Sequence, residues 1–549
     1  VVSGTITAIS AEAVTIWTRE LIAQPQLLDR YDNDLVHVRT LQNLIRWHHV
    51  PAHIQDLVAG KIRPRFIHEE ITGRADFNRE QNLAILRALQ MKDYLLIHGP
   101  PGTGKTSVIA EIVKRLTDQG QRVLLAAFTN QAVDNMLKRL VREGFTQFLR
   151  LGSERSVHEA IKPWLLKEQL NNTRQALANG QVLKDDPFHP DKSYQDLVFD
   201  KLYTTPVVAS TTATWSSDKY APNTARNSDH PQTNAGFIFD VAIIDEAGQL
   251  TIPAILGALR FARRFILVGD EKQLPPLVLS QEAAAAGLAD SLFSFLKQRD
   301  EEYMEQHPLD VSACVPLLTQ YRMNKWISHF SSTVFYDQKL LAHASIANRR
   351  LIYPQIPGRV QPKQAEPEAV RKALDPKFPL VFWDVRDEQA NAASKQNNTE
   401  ARAIRELVAG LLARGIQPQD IGIIAPYRAQ VANIRRHLFT NDPASNWQAL
   451  STDTLLSVDT VDRFQGGERL VILMSFATSQ EPELESQRRN FLVNPHRLNV
   501  ALTRAQRKLI LVGSVPALEH LPTFSRLITY CKSMNTLLAE PVAIPVQAH

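Results

Sequence analysis

Gly99-Pro-Pro-Gly-Thr-Gly-Lys105-Thr106 stands between YLLIH at 94–98 and SVIAEIVKRL at 107–116. The first flank is a short apolar run of strand length, and the second has the apolar spacing of a helix. A turn with the spacing G-x-x-x-x-G-K-S/T between a strand and a helix is a phosphate cradle. Its glycines, Gly99, Gly102 and Gly104, let backbone N–H groups approach the phosphates, and the helix N-terminus adds positive partial charge. Lys105 then reaches the β and γ phosphates while the Thr106 hydroxyl ligates Mg²⁺, so ATP and Mg²⁺ are the expected cofactors. A glycine-rich turn with an incidental lysine is the competing reading, and the flanking strand and helix speak against it.

Outward from this turn, short apolar runs recur between helical or polar stretches: RVLLAAF at 122–128, VAIIDEA at 241–247 and RFILVGD at 264–270. Such runs are strands of a parallel sheet covered on both faces. Asp245 and Glu246 then fall at the C-terminal edge of the sheet, where ligands of such sheets bind. Beside a phosphate cradle, Asp245 is expected to hold Mg²⁺ through its water shell, and Glu246 to orient and deprotonate the attacking water. Gln273, in EKQLPP just past the third run, can reach a γ-phosphate and register its loss; a polar loop residue stopped by two prolines is the alternative. Gln81, in FNREQ ahead of the first run, can offer its amide to the donor and acceptor edge of adenine, or simply occupy a helix surface.

A second series, IGIIAPY at 421–427, LLSVDTV at 455–461, LVILMSF at 470–476 and KLILVGS at 508–514, repeats the rhythm after a polar stretch near 388–398. Two α/β lobes follow, as the length of 549 residues also demands, since that is too long for one ordinary core. Gly4 to Arg19 alternates apolar and polar residues and Leu35 to Ile62 has a helical pattern, which suggests a small barrel or hairpin with a stalk. The stretches 153–201 and 342–376 carry little strand pattern and are expected to be insertions or surface connections.

Apolar residues make up 44% of the chain and charged residues 22%, the balance of a folded soluble protein. With no apolar run of about 18 residues and no signal-peptide pattern, a cytoplasmic protein, nuclear if eukaryotic, with no membrane partner is expected. The two cysteines, Cys314 and Cys531, stand far apart, so neither a disulfide framework nor a cysteine-based zinc or iron–sulfur site can be built. A net charge of +5 and a pI near 9.0 permit nucleic-acid binding without arguing for it. Val1 in the place of a Met points to further chain upstream.

The ordered set GPPGTGKT, FTNQAVDN, DEAGQ, GDEKQLPP, LTQYRM, APYRAQV, VDTVDRFQGGE and RLNVALTRAQ, spread from about Phe77 to Ser514, resembles the helicases of superfamily 1. It is similar to the branch that holds the nonsense-mediated-decay RNA helicase and the eukaryotic replication helicase-nuclease. The resemblance implies an α/β fold of two RecA-like P-loop lobes with parallel sheets, plus a small N-terminal β-barrel and stalk remnant. On that pattern the remnant occupies 1–75, the first lobe 76–300, the second 301–525 and a C-terminal tail 526–549. It further implies that Tyr321 stacks on adenine, Arg322 touches the γ-phosphate, Arg504 is the arginine finger of the second lobe and Glu468 contacts the ribose. An arginine on the transferring phosphoryl group neutralises charge that develops in the transition state, an effect worth about 10³ to 10⁵ in rate.

For the strand, the resemblance implies contacts from Thr129, Asn130, Thr211 and Thr212 in the first lobe and from Pro426, Tyr427, Arg428, Thr460 and Gln465 in the second. Short polar groups suit sugar-phosphate contacts and a ring such as Tyr427 can stack a base, although Thr and Asn at strand ends also serve as helix caps. The implied activity is that of an ATP-hydrolysing DNA helicase or translocase, a monomeric motor moving 5′ to 3′ on single-stranded DNA, with hydrolysis at the interface of its lobes. An RNA helicase or ribonucleoprotein remodeller with the same motor is one alternative. A nucleotide-gated clamp that binds strands without unwinding is another, but it predicts lost catalytic residues, and Lys105, Asp245, Glu246, Gln273, Arg322 and Arg504 are all present. The nuclease of the replication helicase-nuclease and its cysteine-bound cluster have no counterpart in this sequence, so a nuclease domain is expected only upstream of Val1.

Overall fold

The computed structural model describes residues 4–9, 14–18, 35–70, 72–178, 194–217, 220, 238–278, 280–354, 367–385, 395–439, 456–464, 467–477, 492 and 494–538. The chain divides into two compact units, residues 33–320 and residues 321–549 together with 1–32. Among the described residues no helix is long and apolar enough to cross a membrane.

At the N-terminus, β1 (Gly4–Ile9) and β2 (Val14–Thr18) pair antiparallel, with Gly4 opposite Thr18. Among the described residues they form a two-stranded sheet of their own, a hairpin and not a closed barrel.

The unit 33–320 is built on seven strands: β3 (Tyr94–His98), β4 (Val123–Ala127), β5 (Phe148–Arg150), β6 (Val207–Thr211), β7 (Phe239–Asp245), β8 (Ala262–Gly269) and β9 (Cys314–Pro316). Their order across the sheet is β5-β6-β4-β7-β8-β3-β9, with parallel pairing throughout. Leu95, Ile97, Val123 and Leu125 enter one core, and their neighbours Tyr94, Leu96, Leu124 and Ala126 enter the other. Burial on both faces is why these strands read as continuous apolar runs. One face is covered by α3 (Arg79–Gln90), α4 (Lys105–Asp118) and α5 (Asn130–Arg142), whose apolar stripes share that core.

The opposite face carries a correction to the expected stalk at 1–75. Helices α1 (Leu35–Trp47) and α2 (Ala52–Val58) belong to this unit, and Val50, Ile54, Leu57 and Val58 are part of its core. Asn43 on α1 is buried and its Nδ2 donates to Ser216 Oγ at 2.8 Å and to Pro253 O at 3.0 Å. The expected boundary at 300/301 also moves. It falls inside the helix Leu292–Gln306, where Asp300 is buried and accepts from Arg63 Nη2 and from the backbone of Ala313 and Cys314. That clamp leads the chain into β9, whose Cys314 sits opposite Leu96, and the unit ends at Gln320.

In the second unit a parallel sheet of six strands comprises β10 (Leu380–Asp384), β11 (Ile421–Ala425), β12 (Ser457–Thr460), β13 (Arg469–Ser475), β14 (Ala505–Gly513) and β15 (Leu537–Leu538). The order is β12-β11-β13-β14-β10-β15. Four of these lie in the runs that the sequence marks, whereas β10 and β15 do not. The helix Pro522–Ser533 crosses the expected start of a tail at 526 and buries Phe524, Leu527, Ile528 and Cys531, an i, i+3, i+4, i+7 stripe, so 526–538 is part of the lobe.

Candidate active site and nucleic-acid interface

The phosphate loop leaves β3 at His98 and enters α4 at Lys105. Gly102 and Gly104 hold φ of +79° and +83°, the left-handed region that glycine enters without strain. A Cβ on Gly99 would stand 2.4 Å from the Lys105 side chain, which shows how closely the lysine lies along the loop. Lys105 Nζ donates to Gly99 O, with Pro100 O at 3.4 Å. Thr106 occupies the first turn of α4 beside it.

Gln81 is buried and serves as a capping residue. Its backbone N–H donates to Asn78 Oδ1 at 2.8 Å, its Oε1 accepts from Asn78 N at 3.1 Å, and its Nε2 donates to Thr103 O at 3.0 Å. The structure thus places it inside α3's capping box and against the phosphate loop.

The sheet order sets the carboxylates two strands from the loop. Asp245 ends β7, and β8 lies between β7 and β3. Burial pushes the Asp245 carboxyl above its ordinary range, against the pull of Lys105 and of the Glu246 N–H, which donates to Asp245 Oδ1 at 2.8 Å. A buried, under-compensated carboxylate of hard oxygen donors, next to a lysine and in the lobe that holds the Thr106 hydroxyl, fits a Mg²⁺ ion. Glu246 has φ +56°, an uncommon conformation for a residue with a side chain, and such positions cluster at functional sites. Its Oε2 accepts from Thr129 Oγ1 at 3.2 Å.

Gln273 is held by a residue that the sequence reading overlooks. Asp270, buried at the end of β8, accepts Gln273 Nε2 on Oδ2 at 2.8 Å and the Lys272 N–H on Oδ1 at 3.0 Å. His98 Nε2 lies 3.4 Å from Asp270 Oδ1 and 3.3 Å from Glu271 Oε2, while Lys297 Nζ pairs with Glu271 Oε1 at 3.0 Å. Burial alone would raise the Asp270 carboxyl, but His98, Lys105 and Gln273 together hold it below its ordinary range. The signal available was the aspartate at a strand end three residues ahead of Gln273, a capping spacing.

The first-lobe strand contacts expected from the resemblance lie along the same sheet edge. In register, Ala127 faces Thr211 on one side and Asp245 on the other. Thr129 caps α5, accepting from Ala132 N at 3.1 Å, and Thr211 caps the short helix Thr212–Trp215. Both threonines are therefore helix caps as well as candidate contacts. Thr212 is buried. Asn130 Oδ1 accepts from Arg150 Nη2 at 2.8 Å, and the fully buried Arg150 pairs through Nε with Asp134 at 3.0 Å. No spacing in the sequence announces that pair.

In the second unit, Pro426 and Tyr427 link β11 to the helix Arg428–Phe439, and Arg428 is exposed. Lys395 Nζ stands 5.5 Å over the Tyr427 ring, and Thr460 ends β12, next to β11. Gln465 lies outside the described residues. The Tyr321 ring lies against His343, tilted by 31° with centroids 4.7 Å apart. Arg322 is ion-paired with Glu468 and donates from Nη1 to Thr503 O at 3.1 Å. Arg504, next in the chain, is buried, and its carbonyl accepts from Arg469 N at 3.1 Å.

The sequence matches the AAA domain family over residues 76–201 and 207–281, and a second AAA domain family over residues 288–516. It is 34% identical over 475 residues to the mouse DNA replication ATP-dependent helicase/nuclease DNA2, covering 84% of this chain and 39% of that protein. Against the Xenopus laevis protein of the same name it is 31% identical over 570 residues, covering 98% of this chain and 49% of that one. The chain thus spans half or less of the length of these relatives. A solved arterivirus nonstructural protein 10 helicase in complex with DNA aligns at 13% identity and a TM-score of 0.35, covering 80% of this chain and 64% of that one. The AAA matches fall on the parts that carry the phosphate loop and the paired arginines, and the helicase/nuclease likeness runs through both.

Proposed function

We propose that the chain is the motor of an ATP-dependent DNA helicase, moving 5′ to 3′ along single-stranded DNA by ATP hydrolysis. Lys105 and the loop amides bind the phosphates, Thr106 and Asp245 hold Mg²⁺, Glu246 activates water, and Gln273, oriented by Asp270, registers the γ-phosphate. Bound Mg²⁺ supplies Lewis-acid neutralisation of phosphoryl charge. Arg322 and Arg504 add positive charge where negative charge develops in the transition state. Thr129, Asn130, Thr211, Tyr427, Arg428 and Thr460 hold the strand mainly through sugar and phosphate.

One observation supports this reading: Thr129 Oγ1, at the head of α5, donates to the carboxylate of Glu246 at 3.2 Å, which ties a proposed strand contact to the proposed base. Strand occupancy and water activation then share one hydrogen bond, which is what a strand-stimulated ATPase requires. The DNA substrate and the replication setting rest on the helicase/nuclease relatives.

Partial duplexes with a 5′ or a 3′ single-stranded tail, in DNA and in RNA, test the proposal. We expect ATP-dependent strand separation on the 5′-tailed DNA. Unwinding of the 3′-tailed DNA alone overturns the polarity, preference for RNA overturns the substrate, and ATP turnover with no separation on any duplex reduces the motor to a translocase.

A further inference from the structure

We propose that Glu468 and Gln506 form a latch on Arg322, a carboxylate that competes with the γ-phosphate of ATP for the guanidinium and so sets nucleotide affinity. The inference rests on the reading of Arg322 as a γ-phosphate contact. It departs from the ribose contact that the resemblance implies for Glu468.

Four residues close a polar ring within the second unit. Arg322 Nε is paired with Glu468 Oε2. Glu468 Oε1 accepts from Gln506 Nε2 at 2.9 Å, and Gln506 O accepts from the backbone N–H of Asn324 at 2.9 Å, two residues beyond Arg322. Arg322 Nη1 adds the bond to Thr503 O, which fixes the arginine to the residue just ahead of Arg504. Both oxygens of Glu468 are thus engaged inside their own lobe, one by the arginine and one by the amide that aims it.

The ring is open enough to be contested. The side chain of Arg322 is 19% exposed and that of Glu468 42%, so an incoming phosphoryl group meets the guanidinium at the edge of the protein and not through a closed wall. A guanidinium edge matches one carboxylate or one phosphoryl group in the same bidentate geometry. The terminal phosphate, with the higher charge, displaces Glu468, and loss of the phosphate after hydrolysis returns the arginine to it. Arg322 therefore exchanges one anion for another and is held by a partner in either arrangement.

The latch and the ribose reading predict opposite signs. If Glu468 restrains Arg322, Glu468→Gln lowers the KM for ATP about threefold, the size that a half-exposed ion pair allows. Gln506→Ala, which loosens the carboxylate without touching the arginine, shifts KM the same way by less. In the Arg322→Ala background, Glu468→Gln adds no further change. Strand-stimulated turnover with ATP and 2′-deoxyATP reads the single variants, and equilibrium binding of ATP reads those in the Arg322→Ala background. A raised KM for Glu468→Gln with loss of the preference between the two nucleotides assigns the carboxylate to the ribose and overturns the latch, as does an unchanged KM. Full hydrolysis by Arg322→Ala overturns the reading of Arg322 itself, and is distinguishable because it leaves the Glu468 variants out of account.

Discussion

At the scale of single residues, the carboxylates of the candidate site differ because their surroundings differ. Asp245 is buried and short of positive partners, so its carboxyl is raised and a divalent cation is its natural counter-charge. Asp270 is equally buried but is served by His98, Lys105 and Gln273, so it stays ionised and acts as the peg for Gln273. Glu246 stands in a left-handed backbone conformation with Thr129 on its carboxylate. Removal of that hydroxyl in Thr129→Val should reduce the stimulation of ATP turnover by single-stranded DNA severalfold, while Thr129→Ser restores it. The capping bond to Ala132 makes loss of the threonine cost about 1 kcal/mol of helix stability, so a thermal melt must accompany the rates. Equal stimulation in Thr129→Val and the parent protein would show that the hydrogen bond transmits nothing.

At the scale of elements, β14 carries a group whose titration reports on the second lobe. Lys508 is buried, and its Nζ donates to Asp375 O at 2.8 Å and Phe378 O at 2.6 Å, tying the turn ahead of β10 to the sheet. Burial lowers its pKa from 10.5 to about 7. Between those values the unfolded chain holds a proton that the folded chain has released, so stability rises as pH rises through the window and is reduced below it. The full swing is at most about 5 kcal/mol. In Lys508→Met the gain in melting temperature between pH 7 and pH 10 should be several degrees smaller than in the parent protein; identical slopes would mean that the lysine is not the group responsible. This lysine was invisible in the sequence because KLILVGS reads as a strand that begins with a surface charge.

The same scale shows what the sequence carries and what it withholds. Runs such as YLLIH and VAIID announce buried parallel strands because a strand covered on both faces has no polar side to show. FPLVFWD at 378–384 is just as apolar and contains β10, but it stands alone after a polar stretch and lacks the neighbouring motif that marks the others. β15 is two residues long, below any periodic signal. The helices at 35–58 read as a stalk because their packing partners, Ser216 and Pro253, lie far away in the sequence.

At the scale of the whole molecule, the candidate nucleotide residues stand out by their spacing and the polar ties between them do not. Lys105, Thr106, Asp245 and Glu246 declare themselves by the loop and strand they follow. The bonds Asp270 to Gln273, Thr129 to Glu246 and Glu468 to Arg322 depend on which strand ends meet, which only the sheet order reveals. The two AAA domain matches fall each on its own parallel sheet. The central claim is that the strand edge and the hydrolytic site of the first lobe act together. ATP turnover with and without single-stranded DNA, in the parent protein and in Glu246→Gln, tests it most directly. Turnover should rise at least tenfold with the strand and disappear in Glu246→Gln while ATP binding is retained, since the amide keeps the shape of the site without a base. Turnover that ignores the strand, or a Glu246→Gln protein that hydrolyses ATP at the parent rate, would contradict it.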